Sequence, residues 1–91
     1  MALSETQVLL LQQMCIDGEL RCHKRAAEEA IKHNEDIAAY YLHLRERYGA
    51  LRDEVGGQYE AHDMQLILRQ IYDLISGEVA GPSDGRKQAA R

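Results

Sequence analysis

The sequence predicts an all-α fold of three helices, short, long and medium, packed as a coiled-coil-like helical hairpin or bundle and assembled as a dimer. Three observations carry that expectation. Good helix formers dominate the 91 residues, with a single proline, no Phe or Trp, and Tyr supplying all five aromatics. Ile16, Leu20, His23, Ala27, Ala30, Asn34, Ile37, Tyr41, Leu44, Tyr48, Leu51 and Val55 follow one another in alternating steps of four and three, which is the signature of one stripe along a helix. A second, wholly aliphatic set, Met64, Ile67, Leu68, Ile71, Leu74 and Ile75, has the same spacing near the C-terminal end. A chain this short buries only a modest core, and oligomerisation is a common remedy.

The first helix is expected over about 5–17, with Met1–Leu3 frayed before it. Ser4 and Gln7 form the S-x-x-Q capping box that marks a start. Val8–Leu11, then Met14, Cys15 and Ile16, make an apolar set too wide for one face. Asp17-Gly18 is a turn signal. A continuous helix through it remains the alternative, since Gly in mid-helix costs only about 1 kcal/mol against Ala.

The long helix is expected over about 19–53. Asn34 takes a seam position, where a polar residue sets register at some cost in stability. The rival is a kink or cap at His33-Asn34, with Glu35 and Asp36 in a new first turn. Continuity is preferred because the stripe keeps phase across Asn34. Gly56-Gly57 ends the helix. Residues 58–62 are a connector, and the last helix is expected over about 60–76, with Asp63 a plausible N-cap and Gly77 at the C-cap position. Residues 1–77 then form a single helical domain, and 78–91 a flexible basic tail containing Gly81-Pro82-Ser83-Asp84-Gly85.

The net charge of -4 is mild and disfavours non-specific nucleic-acid binding. Residues 21–33 carry four Lys/Arg against two Glu, and 58–78 four acids against one Arg, so the two segments attract across a hairpin. Cys15 and Cys22 are read as reduced, in a cytoplasmic protein with neither a signal peptide nor a membrane span.

Cys15, Glu19, Cys22 and His23 are weak candidates for a metal site, at i, i+4, i+7 and i+8 of an unbroken helix. Two turns, about 10 Å, separate the cysteines. Two buried thiols and a seam-edge imidazole are the preferred reading, so no metal or cofactor is expected. Glu29, His33 and Asp36 are better read as a solvated face, and no nucleophile triad, P-loop or G-x-G-x-x-G occurs.

The function expected is therefore non-enzymatic: a module that binds another protein through a helix face, of the kind of a small adaptor, an antiactivator or a phage-type inhibitor. Self-association is assigned to Ala27, Ala30, Asn34, Ile37, Tyr41 and Leu44, and the partner surface to Tyr40, Arg45, Arg47 and Tyr48. The alternatives are a metal- or small-molecule-binding bundle and a nucleic-acid-binding regulator.

Overall fold

The computed structural model describes residues 3–57 and 63–82. Within them all regular structure is helical: α1 (Glu5–Ile31), α2 (Glu35–Gly57) and α3 (Met64–Ala80). The connector 58–62 and the tail beyond residue 82 lie outside the described residues.

α1 starts where its capping box lies. Ser4 Oγ accepts from the Gln7 amide, and Gln7 Oε1 accepts from the Ser4 amide at 2.8 Å. Leu3 is not frayed: it is buried in the core, and with Val8 it occupies the two positions of a hydrophobic staple. α1 then runs unbroken through Asp17-Gly18. The glycine serves contact there, because a Cβ on Gly18 would stand 2.5 Å from the Tyr48 ring.

The chain reverses at His33-Asn34, so the long helix over 19–53 does not form. His33 adopts the left-handed region at φ 66. Its amide donates to the Ala30 carbonyl at 3.0 Å, and the Asn34 amide donates to the Glu29 carbonyl at 2.9 Å. That pair of bonds is a Schellman motif with His33 in the place that Gly usually holds. The Asn34 side chain adds a bond from Nδ2 to Glu29 Oε2 at 2.9 Å. Glu29 is consequently a buried carboxylate, with Arg25 as its ionic partner at 3.7 Å.

α2 returns antiparallel along α1. Gln12 in the first half of α1 and Glu19 at its middle meet Arg52 near the end of α2, while His23, further along α1, meets Arg45, earlier in α2. Buried positions on α1 are Leu11, Cys15, Gly18, Cys22, Ala26 and Glu29. Most of these are small, so α2 can approach closely with Ala38, Tyr41, Leu44, Tyr48, Leu51 and Val55. α3 lays Ile67, Ile71 and Leu74 against this pair.

Asp63 caps α3, its side chain accepting from the Gln65 amide at 2.7 Å. The helix passes through Gly77 and ends instead at Gly81, whose φ of 72 makes it the true C-cap glycine. The Gly77 carbonyl accepts from the Gly81 amide and from Tyr40 Oη, tying the last turn of α3 to α2. No helix among the described residues is long and apolar enough to cross a membrane.

Candidate functional site

A polar cluster lies where all three helices meet. Glu78 on α3 receives a two-pronged ion pair from Arg21 on α1, Nε to Oε1 at 3.0 Å and Nη2 to Oε2 at 3.1 Å. Tyr48 on α2, fully buried, donates its phenol proton to Glu78 Oε2. Burial, first, and the bond to Glu78, second, raise the Tyr48 phenol well above its usual range. The bond to Glu78 raises Arg21 likewise, so the guanidinium stays charged. Cys22 sits beside this cluster; burial chiefly, with Glu78 adding to it, pushes its thiol up to about 11. The Arg21–Glu78 pair is the attraction between the basic 21–33 and acidic 58–78 segments in concrete form.

One turn pair away, Glu19 accepts from Arg52 Nη1 at 2.8 Å. Gly49 leaves room for it, since a Cβ there would lie 3.2 Å from Glu19 Oε1. Cys15 is fully buried; burial and then the Glu19 charge push its thiol up to about 11. Thiols held protonated in this way are poor nucleophiles and poor metal ligands at neutral pH.

The four weak metal candidates do not converge. Cys15 and Cys22 face the core, Glu19 is engaged by Arg52, and exposed His23 accepts from Arg45 at 2.8 Å through Nδ1. Glu29, His33 and Asp36 are divided by the turn. Among the described residues no three His, Cys, Asp or Glu side chains are placed to hold a metal ion together.

No protein-family model, curated protein or solved structure matches this chain. What the chain does must therefore be argued from its own surface.

The residues assigned to self-association part company at the turn. Ala27 and Ala30 are exposed on α1, and Asn34 lies in the turn itself. Ile37, Tyr41 and Leu44 pack into the protomer's own core. The assigned partner surface is also divided. Tyr48 is interior, against the expectation, because Gly18 opens a slot for its ring. Tyr40 is half-buried, its hydroxyl spent on Gly77 O at 2.8 Å and its ring set edge-on to Tyr41. Arg45 is tied to His23, and only Arg47 stands in the open, beside a shallow groove with Gln70 and Asp73 of α3.

The surface instead presents a different set of apolar side chains, of which Tyr72 and Val79 were not singled out from the sequence. On α3, Tyr72 is 66% and Val79 83% exposed. Half-buried Leu68 and Ile75 share their edge, at steps of four, three and four. Gly77 and Leu74 face α2, so this edge is turned away from it. On α1, Leu9, Leu20 and Ile31 are exposed on the side opposite the core. Their equal spacing was the available signal.

Proposed function

We propose that this protein is a non-enzymatic interaction module that binds another protein through an outer helix face. The observation that carries the reading is the α3 edge of Leu68, Tyr72, Ile75 and Val79, a row of large apolar groups about 17 Å long by the helix rise. Single exposed apolar residues are ordinary, but a contiguous row with a central Tyr is the kind of surface a partner helix anchors on. Exposed Arg69 lies to one side of the row and supplies a charge that selects register. A small adaptor, or an inhibitor that occupies one face of a larger complex, suits such a surface; this last step is by analogy. Self-association as a dimer is part of the same reading. Two free thiols suit a reducing compartment such as the cytoplasm.

Affinity capture from the source cell with the native chain and with a Tyr72→Glu/Val79→Glu variant tests this. The variant should keep its helical circular dichroism, because both positions are exposed. A protein retained stoichiometrically by the native chain and lost with the variant is the expected result. Equal retention by both, or none by either, contradicts the proposal.

A further inference from the structure

The stripe Ile16–Leu20–Ala27 is present, but outside the protomer. α1 buries the Leu11–Cys22–Ala26 face against α2 and α3, while Leu20 is 64% and Ile31 79% exposed. We propose that this outer face of α1 docks antiparallel against α1 of a second copy of the chain, with Leu20 on the two-fold axis. The inference rests on the interaction-module reading and names one occupant of one face.

Periodicity comes first. Leu9, Leu20 and Ile31 are eleven residues apart, and so are Ile16 and Ala27. Eleven residues make three turns at about 3.67 per turn, close to the natural 3.6, so the row runs almost parallel to the axis. It extends along the whole of α1, and two such helices can lie side by side with little supercoiling.

Symmetry comes second. A two-fold contact requires a patch complementary to itself. Reversing α1 about Leu20 sets Leu9 against Ile31 of the second copy and Leu20 against Leu20, with Gln13 against small Ala27. Ile16 lies on the other edge of the row from Lys24, so the lysines flank the apolar contact on one side only.

Charge complementarity decides the direction. Asp17 and Lys24 lie on the same edge of the row, two turns apart, and both are exposed. Asp17 Oδ1 accepts from Gln13 Nε2 at 2.9 Å, and Lys24 makes no ion pair among the described residues. Antiparallel docking brings each Asp17 to Lys24 of the other copy, twice by symmetry. Parallel docking puts this edge of the two copies on opposite sides of the contact and forms neither pair. A helix of this length offers a strip about 40 Å long and about 10 Å wide, about 800 Å² over the two copies and smaller than the interface of a stable dimer. The dimer is accordingly a weak and reversible one.

The test is sedimentation velocity of the full chain from low to several hundred micromolar, with Leu20→Glu and Tyr72→Glu beside it. Leu20 is exposed, so the Glu variant keeps its helix content. The native chain and Tyr72→Glu should pass from monomer to dimer, and Leu20→Glu should remain monomeric. Mild oxidation should cross-link Leu20→Cys to itself. Leu9→Cys should link only when mixed with Ile31→Cys. A native chain monomeric throughout, a dimer that survives Leu20→Glu, or self-linking of Leu9→Cys overturns the proposal. Because Tyr72 lies on the α3 edge, failure here is distinguishable from failure of the capture experiment.

Discussion

At the scale of single residues, the core of α1 is built from what its side chains lack. Gly18 admits the Tyr48 ring, and Cys15, Cys22 and Ala26 keep the helix axes close. Gly18→Ala should therefore destabilise the fold by about 1–3 kcal/mol, the usual range for overpacking. A lowered urea midpoint with an unchanged slope would check it. The thiols make a second prediction. Both are raised from 9.0 to about 11, mainly by burial. The folded state thus disfavours the thiolate, so stability is full below pH 9.0 and declines as pH rises through about 11. Urea midpoints measured across that window should fall, and a Cys15→Ala/Cys22→Ala variant should fall less steeply. This face was hard to see in the sequence for a physical reason. Cys15, Gly18, Cys22 and Ala26 are small and Glu29 is charged, so this face does not read as a row of large apolar residues, and Asp17-Gly18 resembles a turn when only local preferences are weighed.

At the scale of elements, the decisive event is the reversal at His33-Asn34. No Gly or Pro marks it, and the apolar stripe keeps phase across it. The visible clues were Asn34 as a polar break and Glu35-Asp36 as an acidic first turn, and the rival kink built on them describes the chain. A non-Gly residue in the left-handed region costs roughly 1–2 kcal/mol. His33→Gly should thus raise stability, by up to about 1 kcal/mol once the added freedom of the unfolded chain is counted. A higher urea midpoint, with unchanged helix content, is the expected result. The helix starts were more legible than the ends. Ser4, Gln7 and Asp63 are capping residues whose chemistry is local. Gly77 is passed over because its carbonyl bonds to Gly81 within the helix and to Tyr40 across it.

At the scale of the whole molecule, the turn inverts the stripe. Its second half, Tyr41, Leu44, Tyr48, Leu51 and Val55, is buried as the periodicity predicts. Its first half, Ile16, Leu20, His23, Ala27 and Ala30, ends up half-buried or exposed on α1. Helix class and the buried faces of α2 and α3 could be read from period alone. Which side of α1 faced inward could not, because that depends on how two helices meet after a reversal that period does not encode. The candidate surfaces follow from the same inversion: the sequence reading placed partner contacts on Tyr48, which is interior, and passed over Tyr72 and Val79.

The antiparallel pairing of α1 and α2 is the claim on which the rest depends, and one distance tests it. Spin labels on His23→Cys and Glu46→Cys, in protein diluted with unlabelled chain and with the buried thiols shielded by the fold, should lie within about 20 Å, since packed helices are about 8–10 Å apart. A separation near about 35 Å, the length of one continuous helix between those positions, would contradict it.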